Sequence, residues 1–401
     1  MHKPAITSES VRMNYERYVV PSYARTIVFT RGKGSYVWDA EGKKYLDFGA
    51  GIAVNALGHA HPAMTKALEE QSKTLIHVSN LYYHPLHAKL AQRLVELTGP
   101  GKIFFCNSGA EANEALIKLA RKFGSKDGKF EVITATQSFH GRTFGSMSAT
   151  GQDKIKKDFE PMLEGFQHIP YNDLSAAEKA IGPKTAAILI EGIQGEGGVT
   201  PATPEYLLGL RKLCTEKKIL LLMDAVQCGM FRTGMFMSYQ RVLEGKNADF
   251  LPDGISMAKS LGGGFPIAAV WMREPYGDLL GPGTHGTTFG GTPLACAVAL
   301  AVLDTIEKEK LADNIRRQGD RLQAELKKHI QGGAENITGV RGYGGMIGMV
   351  VRESAPALSK EIAAKGLLVV PAGDGILRLL PPLNVSDEEV EKALDILKSH
   401  L

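Results

Sequence analysis

Cysteine is scarce. The 401-residue chain has four, Cys106, Cys214, Cys228 and Cys296, scattered and with no C-x-x-C. That argues against a disulfide framework or a structural zinc and points to a reduced, cytoplasmic setting. Long apolar runs are missing as well. No stretch approaches the roughly 20 apolar residues of a bilayer helix, and Met1 to Ser10 lacks the apolar centre of a signal peptide. Charge of one sign is not in excess: 47 Lys+Arg stand against 43 Asp+Glu, without a long run of either. Nucleic acid and membrane surfaces are therefore poor partners, although a locally basic pocket for acidic substrates remains compatible. No internal repeat or low-complexity segment is present. Glycine, by contrast, is plentiful at 45 residues, and it clusters at the ends of apolar runs, where loops around a ligand need it. The length favours two subdomains over one core.

From Lys102 onward strand-like and helix-like segments alternate. Ile103–Phe105, Val132–Thr134, Ala187–Ile190, Ile219–Met223, Ile255–Met257 and Ala268–Trp271 read as strands. Ser108–Phe123, capped by Asn107 or Ser108, and Pro204–Lys217 read as helices. This pattern predicts an α/β fold with a mostly parallel sheet covered on both faces. Near the N-terminus, Gly34–Phe48 reads as a hairpin. Leu294–Ile330 reads as nearly continuous helix linking two domains. Beyond it lies a smaller α/β unit: Met346–Val351, a helix near Ser359–Lys365, Leu367–Val370, Gly375–Leu380, and a last helix with a Ser386/Glu389 capping box.

The most informative pairing is Lys259, on the Gly-rich loop Met257-Ala258-Lys259-Ser260-Leu261-Gly262-Gly263-Gly264, with Asp224, at the end of a buried strand. A lysine so placed can bond to an aldehyde cofactor, and an aspartate so placed can keep a pyridinium nitrogen protonated. Pyridoxal phosphate (PLP) chemistry needs both groups. Either alone is weak evidence, because a lone Lys is usually surface and a lone strand-end Asp usually a cap or ion-pair partner.

Other segments are open to two readings. Asn107-Ser108-Gly109-Ala110-Glu111-Ala112, at a strand-to-helix turn, is either a phosphate cradle or an ordinary cap. In Ser138-Phe139-His140-Gly141-Arg142-Thr143, Phe139 can stack on a flat ring and Arg142 can clamp a carboxylate, or the two are a core Phe beside a surface Arg. Glu191 and Glu196 are paired carboxylates suited to acid–base work or a metal, but no convergent His or Asp favours the metal. His59-Ala60-His61 and His84-Pro85-Leu86-His87 lack helical ligand spacing and read as structural. Thr287 and Thr288 offer hydroxyls to a phosphate or belong to a plain loop. The glycine triplets match no nucleotide-loop pattern.

In order and spacing, Asn107–Ala112, Phe139–Thr143, Gln194–Gly198, Asp224 with Gln227, Lys259 in its loop, and Thr287–Gly291 resemble the class III aminotransferases over nearly the whole chain. Val78–Tyr83, Asn113–Arg121 and Leu377–Leu383 resemble its acetylornithine branch. The resemblance implies fold type I of the PLP-dependent transferases, a large domain with a mostly parallel seven-stranded sheet plus a smaller α/β C-terminal domain. Its divisions would be an N-terminal segment at 1–58 packing with the small domain, a PLP-binding domain at 59–296 and a small domain at 297–401. It also implies a homodimer with shared active sites and no metal. The expected reaction moves the terminal amine of N2-acetylornithine to 2-oxoglutarate, for arginine biosynthesis. Other ω-amine donors (4-aminobutyrate, ornithine, succinylornithine), a PLP aminomutase, or a binding protein that kept the fold are the alternatives.

By the same resemblance Lys259 anchors PLP and shuttles the proton, Asp224 pairs the ring nitrogen, and Phe139 stacks on the ring. Ser108, Gly109 and Ala110 bind phosphate, Thr288 reaches it from the partner subunit, and Gln227 lies near the ring hydroxyl. Arg142 takes a substrate carboxylate with Thr287 nearby. Arg378 takes the α-carboxylate of glutamate and Glu196 masks it otherwise. The chain departs from the family at Ala225, where Glu is usual, at Phe231, where the pattern Gly-x-Gly-Arg-Thr-Gly has Gly, at Gly192 (usually Pro) and at Thr292 (usually Asn).

Overall fold

Seven short strands pair into one sheet whose central runs, Thr185–Glu191, Leu220–Asp224 and Gly254–Met257, are buried along their whole length and must be covered on both faces. In the computed structural model, which describes residues 7–246, 249–373 and 375–401, these strands run in the spatial order Gly101–Cys106, Ala268–Arg273, Gly254–Met257, Leu220–Asp224, Thr185–Glu191, Glu131–Ala135, Phe166–Ile169. All neighbours are parallel except Ala268–Arg273, which is antiparallel to both strands beside it. The Leu220–Asp224 strand therefore sits at the centre, and Asp224 lies at its carboxyl end. Ligands of open α/β sheets bind at that end of the strands.

Helices cover the two faces. The helix Gly109–Gly124 turns Ala112, Leu116, Leu119 and Ala120 onto the sheet. Its first turn is closed by the Ser108 hydroxyl, which accepts from Glu111 N at 3.2 Å. On the opposite face Pro204–Lys217 buries Tyr206, Leu207, Leu210 and Cys214.

A second core gathers Leu46, Phe48, Ala56 and Leu57 with Ile315, Leu322, Ile347, Leu377, Leu379 and Leu394. The early hairpin Tyr36–Asp39/Lys44–Asp47 joins this region through Leu367–Leu368, which pairs with it in parallel. The C-terminal sheet is antiparallel, in the order Ile337–Tyr343, Met346–Val351, Ile376–Leu379, Val370–Pro371.

Two expectations are corrected. The single long helix over Leu294–Ile330 is two helices, Pro293–Lys308 and Leu311–Gln331, broken where Lys310 takes a left-handed φ of 52°. The expected strand Leu367–Val370 is split between two sheets, Leu367–Leu368 in one and Val370–Pro371 in the other.

Candidate active site

A cavity of about 440 Å³ opens at the carboxyl end of the central strands. Ser108, Gly109, Ala110, Phe139, Arg142, Glu196, Asp224, Gln227 and Lys259 all line it, together with Val54, Asn113 and Val226. Nine of the residues singled out from sequence thus meet in one place.

Asp224 is held from three directions. Val226 N donates to its Oδ1 at 2.9 Å, and Asn113 Nδ2 donates to its Oδ2 at 2.7 Å. His140 Nδ1 lies 2.8 Å from the same Oδ2. An ionised carboxylate only accepts, so the proton of that bond resides on Nδ1. Asn113 is fixed in turn by the His140 carbonyl and by the Ser256 hydroxyl, each at 2.7 Å. The result is a buried anion with fixed orientation, suited to a cationic N–H in the cavity.

Lys259 begins the turn after Gly254–Met257 and has a left-handed φ of 42°. Its side chain reaches the cavity wall. Burial chiefly, then the charge of Arg378, pulls its pKa down from 10.5 to about 8, against the opposing pull of Glu196, Asp224 and Glu191. An amine with that pKa exchanges protons near neutrality.

The N-terminus of the Gly109–Gly124 helix also lines the cavity, through Ser108, Gly109 and Ala110, and a helix N-terminus offers N–H groups to an anion. A side chain at Gly109 would meet Val226 Cγ1 at 2.6 Å, so only glycine allows this helix to seat so close to Val226. Phe139 is half-buried and Arg142 lies over its ring at 5.7 Å. Glu191 is not a free carboxylate. It accepts from Phe139 N and Gly195 N, both at 3.0 Å, and burial raises its pKa to about 7. It thereby ties the Phe139 loop to the turn that carries Glu196.

Arg378, buried on the C-terminal sheet, donates to Glu196 Oε1 at 2.9 Å and to Gln227 Oε1 at 2.8 Å. Residues 182 positions apart thus meet where the small sheet folds against the large one. Thr287 and Thr288 do not line this cavity. Thr287 Oγ1 accepts from Asn107 Nδ2 at 3.1 Å, and Thr288 is exposed. Asn80 holds their loop by donating to the Thr287 and Gly290 carbonyls.

Asn113, His140 and Val226 are site residues that the sequence does not single out, while Glu191, read from sequence as a candidate acid–base group or metal ligand, holds backbone N–H groups instead. Asn113 carried a signal, being the polar residue in the buried stripe Ala112, Ala115, Leu116, Leu119. His140 carried none beyond adjacency to Phe139. The paired histidines are structural: His61 and His84 cap helices, and His59 bonds Asp47 at 2.8 Å. Among the described residues no group of three or more His, Cys, Asp or Glu is arranged for a metal, and no helix is long and apolar enough to cross a membrane.

A buried carboxylate for a ring nitrogen, an amine of lowered pKa, an aromatic wall and a helix N-terminus for a phosphate are the donor set that pyridoxal phosphate requires, and the residues present fit it.

Comparison with known proteins agrees. The sequence pattern of the family "Aminotransferase class-III" matches residues 18–401. The acetylornithine aminotransferase of Gloeobacter violaceus is 48% identical over 97% of this chain and 97% of its own. That of Aquifex aeolicus is 45% identical over 96% of this chain and all of its own. Among solved structures, acetylornithine aminotransferase from Elizabethkingia anophelis superposes with a TM-score of 0.85 at 32% identity, covering 98% of both chains. The ornithine aminotransferase from Toxoplasma gondii ME49 superposes at 0.93 and 33% identity, covering 98% of this chain and 95% of its own.

Proposed function

Given that the chain belongs to the class III aminotransferases and uses pyridoxal phosphate, we propose that it transfers the terminal amine of N2-acetylornithine to 2-oxoglutarate, giving N-acetylglutamate 5-semialdehyde and glutamate. The observation that carries this reading is the Glu196–Arg378–Gln227 contact beside Lys259 and Asp224. One pocket must accept an ω-amine with no neighbouring carboxylate and then glutamate, whose amine has one. An arginine whose carboxylate partner can be displaced suits both.

Bound pyridoxal phosphate supplies an aldehyde that exchanges amines and a ring that draws electrons from the carbon bearing the amine. Lys259 would hold it through Nζ and, once released, would move the proton to and from that carbon. Asp224 would keep the ring nitrogen protonated, with Asn113, His140 and Val226 N fixing its orientation. Ser108, Gly109 and Ala110 would bind the phosphate through the helix N-terminus, Phe139 would cover the ring, and Gln227 would lie near its hydroxyl. Arg142 would take the distal carboxylate of either substrate with Thr287 nearby. Arg378 would take glutamate's α-carboxylate after Glu196 swings away.

We further read the protein as a cytoplasmic homodimer, with Thr288 of each copy reaching the phosphate of the other. Support comes from the exposed apolar residues Leu81, Tyr82 and Tyr83, which follow Asn80, and Phe289, in the loop that Asn80 holds. The divisions 1–58, 59–296 and 297–401 are our reading of its segments.

A panel of amine donors with 2-oxoglutarate tests the function. N2-acetylornithine should give the highest kcat/KM, ahead of ornithine, 4-aminobutyrate and succinylornithine. Turnover without 2-oxoglutarate would indicate an aminomutase. Borohydride reduction with peptide mass analysis should place the cofactor on Lys259, and Phe289→Glu should shift the dimer toward monomer in sedimentation.

A further inference from the structure

Arg232 is wholly buried, yet among the described residues it has no carboxylate partner. Its Nη1 donates to the carbonyls of Gly345 and Pro381, while Nε and Nη2 have no acceptor among the described residues. A buried guanidinium left this way is destabilising, and burial pulls its pKa down to about 10. The backbone around it is unusual too. Met230 and Phe231 have left-handed φ values of 53° and 64°, conformations that cost a non-glycine residue roughly 1–3 kcal/mol each. Such features persist where surrounding structure imposes them.

The surroundings show what is imposed. Arg232 belongs to the loop that begins at Asp224 and contains Gln227, which bonds the Arg378 side chain. Its own partners are Gly345, in the turn between Ile337–Tyr343 and Met346–Val351, and Pro381, just beyond the strand Ile376–Leu379 that carries Arg378. Gly345 N returns a bond to Arg232 O at 2.9 Å. Gly344 packs so tightly on Thr233 that a Cβ there would lie 2.7 Å from its backbone. Phe231 packs against both the large-sheet core and the small-sheet core. One loop therefore holds the Arg378 side chain through Gln227 and, through Arg232, the chain at Pro381 three residues beyond it.

We propose that Arg232 is a positioning residue for Arg378: by clamping the Gly345 and Pro381 carbonyls it fixes the strand that presents Arg378 to Glu196 and Gln227, and so sets affinity for the substrate with a carboxylate beside its transferred amine. The proposal rests on the reading that Arg378 receives glutamate's α-carboxylate. Arg232 touches neither substrate nor cofactor, and its effect should fall on one half-reaction only.

The test uses purified holoenzyme and single-turnover kinetics of each half-reaction, with cofactor content and melting temperature measured alongside. In Arg232→Met the apparent KM for glutamate should rise about tenfold, as for loss of one charge-assisted hydrogen bond. That for N2-acetylornithine should change by less than about twofold on the same scale. The melting temperature should hold or rise, since an apolar side chain of similar length removes an unpaired buried charge. Arg232→Lys, which keeps a cation and a donor for the Pro381 carbonyl, should recover most of the glutamate KM. If the Met variant does not fold, Arg232→Leu, which also removes charge and donors, carries the comparison with the same split expected between the half-reactions. Parallel changes in both half-reactions, or no change in either, would overturn the proposal. Wild-type enzyme that fails to react with glutamate would instead refute the role of Arg378, and this proposal with it.

Discussion

His140 Nδ1 lies 2.8 Å from Asp224 Oδ2, and both side chains are sealed from solvent. The contact, together with the N–H groups of Asn113 and Val226, fixes the face that the Asp224 carboxyl turns toward the cavity. In Asp224→Asn the new amide must oppose at least one of the N–H groups of Asn113, Val226 and His140, and a cationic ring nitrogen loses its counter-charge. A charge-assisted bond of ~1.5–3 kcal/mol is removed. Both half-reactions should slow at least ~10-fold, and cofactor should be lost on dialysis, followed by its absorbance. A variant with wild-type half-reaction rates would contradict this role.

Lys259 gives a pH prediction for the cofactor-free protein. Its pKa is lowered from 10.5 to about 8, first by burial and then by Arg378. Only the neutral amine attacks an aldehyde, so the rate of cofactor uptake should rise through pH 8 and level off beyond it. Between pH 8 and 10.5 the unfolded chain holds the proton that the folded chain has released, so this group's contribution to stability increases with pH across that window. Uptake that is flat across pH 8, measured by absorbance, would refute the lowered pKa.

Glu196→Ala separates the two halves of the reaction. With Glu196 gone, the Arg378 side chain keeps only Gln227 as a partner among the described residues. The ω-amine half-reaction should slow ~10-fold, on the scale of one charge-assisted bond, because the exposed guanidinium is left uncompensated beside an apolar stretch of substrate. The glutamate half-reaction should be unchanged or faster, because no carboxylate has to be displaced. Equal slowing in stopped-flow traces would reduce Glu196 to a structural carboxylate.

The residues with strong local chemistry were legible from sequence, and those that act through long-range packing were not. Lys259 stands out because it opens a glycine-rich loop after an apolar run, and Asp224 because it ends the apolar run Ile219–Met223. Pro204–Lys217 matched to the residue because Thr203 caps it and proline opens it. The break at Lys310 escaped because no glycine or proline marks it. Leu367–Val370 reads as one strand, and only tertiary pairing divides it between two sheets. His140 became meaningful only once the fold brought it to Asp224, 84 positions away. Arg232 was visible as part of a family pattern, but nothing local announces that it is buried without a counter-ion.

Ala225 is the departure most directly connected to that missing counter-ion. It is 3% exposed, in the core cluster that holds Met230, Phe236 and Met237. Two successive turns, Gly229 N to Ala225 O at 2.9 Å and Arg232 N to Gly229 O at 3.2 Å, keep positions 225 and 232 on one compact loop. A glutamate at 225 would be buried, and alone it would be destabilising by several kcal/mol. Where that carboxylate reaches the two unused donors of Arg232 the balance reverses, because an unpaired buried charge of the kind that costs about 3–5 kcal/mol becomes paired. Ala225→Glu should therefore raise the melting temperature, by about 2 °C or more. In an Arg232→Met background the same substitution should lower it. The sign reversal is the decisive quantity, since a double-mutant cycle isolates the pair from the effect of adding bulk to the core. An equal drop in both backgrounds would mean that no carboxylate at 225 reaches Arg232, and Ala225 would then be a packing residue whose small size suits the tight approach of Gly229, where a Cβ would come within 2.9 Å of its own.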